Sequence, residues 1–208
     1  MIDFQTILVF FPAAVLLALS PGPDNLFVMA QSAQHGRTAG IVVTLGLCTG
    51  LVGHTLAVAF GLAAIVRASS MAFTVLKAAG ALYLLYLAWQ AWRAGSVSES
   101  ETQSPSLSPW SLYRRGIVMN LTNPKVSLFF LAFLPQFADP LHGSMVWQFL
   151  QLGSLFILAT MIVFGMVSLL AGGFGDRFRS SPVAQRIVNR SAAAVFVGLA
   201  AKLAMTER

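Results

Sequence analysis

The sequence predicts an all-α integral membrane protein with six transmembrane helices, and three observations lead to this prediction. Of the 208 residues, 57% are hydrophobic and only 10% are charged, whereas globular domains carry about 25% charged residues. Several apolar stretches are long enough to cross a lipid bilayer, which takes roughly 20 residues. Lys and Arg lie between these stretches rather than in one basic patch. Soluble enzymes, nucleic-acid-binding proteins and disordered chains are therefore disfavoured, and the net charge of +6 is interpreted as a sign of membrane topology.

Six apolar stretches satisfy the length criterion. They run over about residues 4–30, 41–66, 71–92, 116–138, 146–171 and 187–205. The last stretch is the weakest, because Asn189 and Arg190 lie near its start. The first is not typical of a secretory signal peptide, because residues 1–4 carry no basic side chain and the apolar run resumes after its interruption.

The positions of Lys and Arg predict that both termini lie outside the cytoplasm. In that orientation the cytoplasmic segments carry Arg37, Arg93, Arg114, Arg115, Arg177, Arg179, Arg186 and Arg190. The outer segments carry only Arg67, Lys202 and Arg208. Because cytoplasmic loops are enriched in Lys and Arg, this orientation is favoured over the reverse one.

The chain is predicted to form a single transmembrane domain over residues 1–208. A Ser-, Glu- and Pro-rich segment at about residues 93–115 is typical of a flexible cytoplasmic linker. It separates repeat one, at about 1–92, from repeat two, at about 116–208. Three spans in each half give the halves opposite orientations, which is a 3+3 inverted repeat.

One gapless register supports the repeat, because it pairs Pro12 with Pro124 and Pro23 with Pro135. Both halves would then begin with a Pro-broken helix, so that the first and fourth spans are interrupted. Transporters use broken helices to expose backbone groups to a substrate at membrane depth.

The first interruption combines three residues that prevent an unbent helix. Pro21 and Pro23 remove backbone donors, and Gly22 permits most backbone angles. Backbone groups freed in the bilayer must bind side chains, water or a ligand. Asp24 follows at a depth of roughly 12 Å, where a carboxylate costs about 2.5–3.5 kcal/mol. This combination favours a substrate or proton site.

The second interruption contains Asn120, Asn123, Pro124 and Lys125. Lys125 lies roughly 15 Å from the same membrane face, so its depth matches that of Asp24. A salt bridge between the two side chains is the simplest way to offset the cost of both charges. Two other interpretations stay open: a purely structural ion pair without a ligand, and prolines that only bend helices to fit their neighbours.

Both interrupted segments resemble the signatures of a known transporter family. Residues 19–28 (LSPGPDNLFV) are similar to the N-terminal signature of the LysE/RhtB family of bacterial amino-acid exporters. Residues 120–125 (NLTNPK) and 133–137 (FLPQF) resemble its second signature, and the likeness covers essentially the whole chain. The resemblance implies proton-driven efflux of amino acids such as lysine, homoserine, threonine or leucine across the bacterial inner (plasma) membrane.

An amino acid presents an ammonium and a carboxylate close together, which suggests opposite roles for the two deep charges. Asp24 is expected to bind the ammonium and Lys125 the carboxylate, with Asn25, Asn120 and Asn123 completing the substrate site. Protonation of Asp24 would weaken its hold on the ammonium, so that proton entry is coupled to export.

Two further features have alternative interpretations. His54, in the middle of the second span, is either a packing histidine or a second proton-coupling residue. The small residues Gly46 and Gly50 are spaced so that helices can approach closely. That approach is either a contact within the chain or the seam of a homodimer.

The charge inventory favours a neutral cargo such as homoserine, threonine or leucine, because Asp24 is the only deep carboxylate and a lysine or arginine cargo calls for a second one. The rival functions are a metal-ion exporter of similar six-span architecture, which needs clustered ligands, and a membrane enzyme, which needs a catalytic pair at depth. Cys48, His54 and Asp24 are too few and too dispersed for a metal site, and one cysteine, one deep aspartate and no zinc motif argue against a membrane enzyme. No enzyme activity, metal site or cofactor is therefore predicted.

Overall fold

The structure, a computed structural model, describes residues 2–20, 22–62, 70–93, 107–170 and 181–205. Within these residues the chain is helical and contains no strand, which confirms the all-α prediction for that part. Most of the predicted linker lies outside the described residues, and so does Pro21 of the first interruption.

Eight α-helices are numbered here in chain order. The first half contains α1 (Phe4–Leu19), α2 (Pro23–His35), α3 (Arg37–Leu56) and α4 (Ser70–Arg93). The second half contains α5 (Pro109–Leu121), α6 (Pro124–Leu128), α7 (Met145–Leu170) and α8 (Pro182–Met205). Shorter π-helical or 3₁₀ segments follow α3 and α6, namely Ala57–Leu62, Phe129–Phe133, Leu134–Phe137 and Pro140–His142.

Both predicted helix breaks are present. The chain bends by 62° between α1 and α2, and by 48° between α5 and the segment that begins with α6. Pro23 and Pro124 each hold the first position of the helix after the bend, where a proline's missing N–H has no intrahelical role. Pro12, by contrast, lies inside α1. The local structures at Pro12 and Pro124 therefore differ, since only Pro124 begins a helix, and the register that pairs them stays a prediction.

Some of the helices meet the length and hydropathy expected of a membrane span. The segments Arg37–Gly61 and Met145–Leu170 are long and apolar enough to cross a membrane, and each bent pair would form one further span, giving up to four. The 24-residue helices α4 and α8 correspond to the predicted third and sixth spans. The six-span 3+3 arrangement stays a prediction.

Helix α3 packs along both α5 and α7 and also contacts α2. Its contact with α5 depends on glycine. A Cβ on Gly46 would lie 3.0 Å from the carbonyl carbon of Tyr113, and a Cβ on Gly116 would lie 3.1 Å from the Cα of Gly46. The small residues Gly46 and Gly50 thus form a helix contact within the chain and are not free to form a dimer interface. A homodimer stays a prediction, but it would have to use another surface.

Among the described residues, buried apolar side chains form two separate clusters. The large cluster includes Phe10, Leu17, Leu51, Val126, Phe130, Phe156 and Ala159. The small cluster includes Ala18, Val28, Val43, Leu47, Leu112, Val163 and Phe164. Because α1, α3 and α7 contribute to both clusters, the clusters are stacked along the same helices rather than placed side by side.

We expect Gly46→Ala to lower the free energy of unfolding by about 1–3 kcal/mol, the usual cost of overpacking. The matched control is Gly165→Ala in α7, where a Cβ would meet no atom within 4 Å. There the better helix propensity of alanine should raise stability by about 0.5–1 kcal/mol. Thermal unfolding in detergent measures both variants, and equal stabilities would contradict the close contact of α3 with α5.

Candidate functional site

Asn123 joins the two helix breaks. Its Nδ2–H donates to Asp24 Oδ2 at 2.8 Å, and Asp24 lies in the first turn of α2 with only 3% of its surface exposed. The Oδ1 of Asn123 accepts from the backbone N–H of Lys125 at 3.0 Å. That N–H has no partner inside α6, since it lies in the first turn. One amide therefore caps the second broken helix and holds the carboxylate of the first.

The buried ammonium of Lys125 lies at the end of α1. Its Nζ donates to the carbonyl oxygens of Ser20 at 3.0 Å and of Leu17 at 3.3 Å. Carbonyls at a helix C-terminus lack intrahelical partners and carry the negative end of the helix dipole. Gly22 leaves room for this contact, because a Cβ there would lie 3.1 Å from Nζ. A cation from the second break thus satisfies the carbonyls freed at the first.

The direct salt bridge expected between Asp24 and Lys125 is not formed. The charged atoms of these two described residues do not come within the 4.0 Å of an ion pair. Asp24 instead lies at the positive N-terminal end of α2 and Lys125 at the negative C-terminal end of α1. The helix ends and the Asn123 amide therefore provide the stabilisation that the sequence analysis assigned to pairing.

Comparison with known proteins identifies the family. The sequence profile described as "LysE type translocator" matches residues 15–207, which is most of the chain. The chain belongs to the LysE type translocator family.

Relatives of this translocator include efflux proteins. It is 33% identical over 191 residues to the homoserine/homoserine lactone efflux protein of Salmonella typhimurium, covering 92% of each chain. It is also 33% identical over 203 residues to an uncharacterized membrane protein of Vibrio cholerae, covering 97% of this chain and 98% of the relative. No solved structure matches the chain. The family resemblance noted in the sequence is thereby confirmed.

Around the two breaks of the translocator, three buried oxygens of described residues have no hydrogen-bond partner. They are Oδ1 of Asp24, Oδ1 of Asn25 and Oδ1 of Asn120. The orientation of the Asn25 amide is set by its Nδ2–H, which donates to the carbonyl of Ala18 at 2.8 Å. Asn120 packs against Gly50, since a Cβ added at Gly50 would lie 2.7 Å from the Cβ of Asn120. Because an unpaired buried polar group costs about 1–3 kcal/mol, a ligand that brings donors is favoured here.

His54 contacts the second break. Its half-buried ring donates Nε2–H to the carbonyl oxygen of Asn120 at 3.2 Å and lies 5.5 Å from the ring of Phe130. The histidine is therefore packed and also bonded to a predicted site residue. Its part in proton coupling stays a prediction.

The site lies between the two apolar clusters. Along the first break, α1 passes from Leu17 of the large cluster to Ala18 of the small cluster, and Asp24 lies one turn before Val28 of the small cluster. Along the second break, the polar residues lie between Leu112 of the small cluster and Val126 of the large one. We call this level the polar layer, and it consists of Ser20, Asp24, Asn25, Asn120, Asn123, Lys125 and Thr160.

Two buried residues whose side-chain polar atoms lack a partner were not predicted as site residues of the translocator. Thr160, 2% exposed and lacking a partner for Oγ1, lies between Ala159 of the large cluster and Val163 of the small one. Gln31 is fully buried, and neither its Nε2 nor its Oε1 has a partner. Spacing could have identified Gln31, because it lies two helical turns after Asp24 on the same face of α2. No sequence signal separates Thr160 from the other hydroxyl residues.

We expect Asn123→Ala to lower the free energy of unfolding by about 2 kcal/mol, because it removes the cap of α6 and leaves Asp24 Oδ2 without its donor. The matched control is Ser108→Ala, which removes the exposed cap of α5 and should cost about 1 kcal/mol or less. Thermal unfolding in detergent compares the two. A loss no larger than that of the control would contradict the Asn123–Asp24 bond.

Proposed function

We propose that this LysE type translocator is a secondary active exporter of a neutral amino acid, which binds in the polar layer. The family and the efflux relatives support amino-acid export. The observation that carries the binding site is the set of three unpartnered oxygens beside the helix breaks. The proposed site uses the residues expected from the sequence, but Asp24 is bonded to Asn123 and Lys125 to backbone carbonyls of α1, instead of to each other.

The ammonium of the cargo is assigned to Asp24. An ammonium has three N–H donors and no acceptor, and the oxygens of Asp24, Asn25 and Asn120 that lack partners are all acceptors. A hydrogen bond in which both groups are charged is roughly twice as strong as a neutral one. Asp24 therefore provides the charge, and the two amide oxygens provide the remaining acceptors.

The carboxylate of the cargo is assigned to Lys125 and to the start of α2. Two of the three donors of Lys125 bind carbonyls at the end of α1, so one donor is left for the cargo. No side chain caps the N-terminus of α2 at Gly22. Because the first N–H groups of a helix favour anions, the backbone N–H groups of Asp24 and Asn25 complete this half of the site.

A neutral side chain is proposed because of the charge count. Among the described residues, Asp24 is the one acidic residue that is buried, and its assigned role is to bind the ammonium. A lysine or arginine cargo would bring a second positive charge without a second carboxylate. The relative from Salmonella typhimurium is named for homoserine and its lactone, and homoserine, threonine and leucine all have uncharged side chains.

The proton is proposed as the coupling ion. A protonated Asp24 presents no negative charge to the cargo ammonium, so proton binding and cargo release favour each other. His54 is the second proton-coupling residue in this proposal, because its hydrogen bond to the Asn120 carbonyl connects it with the polar layer.

The proposed topology is six spans in a 3+3 inverted repeat in the bacterial inner membrane, with both termini outside. It is supported by the excess of Arg in the segments assigned to the cytoplasm. The metal-ion alternative has no observation in its favour, because no three His, Cys, Asp or Glu side chains of the described residues are grouped as ligands. No observation on the described residues favours a membrane enzyme either.

We expect Asp24→Asn to lower the rate of amino-acid efflux by about 10- to 100-fold, the effect of losing one charged hydrogen bond. The measurement is efflux from proteoliposomes loaded with a panel of labelled amino acids, with and without an imposed pH gradient. The matched control is Asp139→Asn, because Asp139 is half-buried at a chain turn outside the polar layer.

Efflux that follows the gradient in the wild type and the Asp139→Asn variant, but not in Asp24→Asn, is the expected result. Gradient-dependent efflux that persists in Asp24→Asn would exclude Asp24 as the coupling group. If the folded wild type exports no amino acid, the two helix breaks hold a structural network rather than a transport site.

We expect His54→Gln to retain cargo binding but to reduce the response of efflux to the pH gradient. Glutamine keeps an N–H that can donate to the Asn120 carbonyl, whereas it cannot bind a proton near neutral pH. Cargo binding is measured by ligand-induced thermal stabilisation and the response by the ratio of efflux with and without the gradient. An unchanged ratio would show that His54 has only a packing role.

A further inference from the structure

The hydroxyl of Thr160 differs from those of the other buried helical Ser and Thr residues that the structure describes. The other four donate to the carbonyl four residues earlier in their own helix, at 2.7–2.9 Å; they are Ser32, Thr44, Thr55 and Ser168. Thr160 makes no such bond, although it is only 2% exposed, and its Oγ1 has no partner among the described residues. The hydroxyl of Thr160 therefore makes no hydrogen bond to the backbone of α7.

Helix contacts place Thr160 at the level of the site. Gly40 of α3 lies against Ser168 of α7, and Gly153 of α7 lies against Thr55 of α3. These two contacts define an antiparallel register in which Thr160 lies opposite Cys48.

The same argument applies to the other helices of the polar layer. Gly40 of α3 also lies against Ser32 of the antiparallel helix α2. Asp24 lies eight residues before Ser32, and Cys48 lies eight residues after Gly40, so Asp24 and Cys48 are at the same height. Asn120 packs on Gly50, two residues along α3. At 1.5 Å per residue, Asp24, Asn120 and Thr160 therefore lie within about 3 Å of the same height.

We infer that Thr160 is a specificity-determining residue that hydrogen-bonds a hydroxyl on the side chain of the cargo. This inference rests on the proposed function. The groups assigned to the ammonium and the carboxylate come from α2, α5 and α6, whereas Thr160 lies at the same height on another helix, α7. A cargo hydroxyl either donates a hydrogen bond to Oγ1 of Thr160 or accepts one from it, whereas a methyl group leaves Oγ1 unpaired. The chemical class of cargo is therefore a hydroxylated neutral amino acid.

The test is the ratio of efflux of homoserine to that of 2-aminobutyrate, which has the same carbon chain without the hydroxyl. Wild-type protein in proteoliposomes should favour homoserine. Thr160→Val, which keeps the side-chain shape, should lower this ratio about 3- to 10-fold by slowing homoserine alone, as expected for the loss of one hydrogen bond. Thr160→Ser should restore most of the ratio.

Thr44→Val is the matched control. Thr44 is also buried, but its hydroxyl already donates to the carbonyl of Gly40, so its replacement should leave the ratio unchanged. An equal fall of both substrates in folded Thr160→Val, or an unchanged ratio, would overturn the inference and leave the proposed exporter intact. A wild type that exports neither substrate would overturn the proposed function and the inference with it.

Discussion

The need to satisfy backbone hydrogen bonds where two helices break inside an apolar bundle determines the arrangement of the whole site. Each break exposes carbonyls or N–H groups that hydrocarbon cannot bind. The carbonyls at the end of α1 bind the ammonium of Lys125, and the first turn of α6 is capped by Asn123. The start of α2 has Asp24 in its first turn. The charged residues are therefore accommodated by helix ends, and their positions follow from the breaks.

This arrangement changes how a cargo would compete for the site. With a direct ion pair, an incoming ammonium would first have to displace Lys125 from Asp24. Here Lys125 is bound to carbonyls of α1, and Asp24 keeps one oxygen without a partner while Asn123 holds the other. Asp24 and Lys125 are thus oriented by neutral groups, and in the proposed function each binds one end of an amino acid without losing its structural partner.

Apolar packing on both sides of the polar layer gives the site its position. The large and small clusters are built on the same helices, and close glycine contacts hold α3 against α5 and α7. Because close-packed interiors transmit strain, a methyl group added at Gly46 would press on α5, the helix that carries Asn120. The same packing isolates Thr160 and Gln31, whose polar atoms would cost less in water than among the apolar side chains around them.

Local chemistry in the sequence determined the helical class, the two Pro-associated breaks, and the presence of Asp24, Asn123 and Lys125 beside them. Proline and glycine act on their own turn of helix, so their effects are visible without a partner. The partners of Asp24 and Lys125, and the height of Thr160 in the bundle, depended on residues about 100 or more positions away, as in the Asn123–Asp24 and Lys125–Ser20 bonds. Only the tertiary structure decided these, because hydrogen bonds between helices depend on how the helices are aligned, and hydropathy along one chain does not specify that alignment.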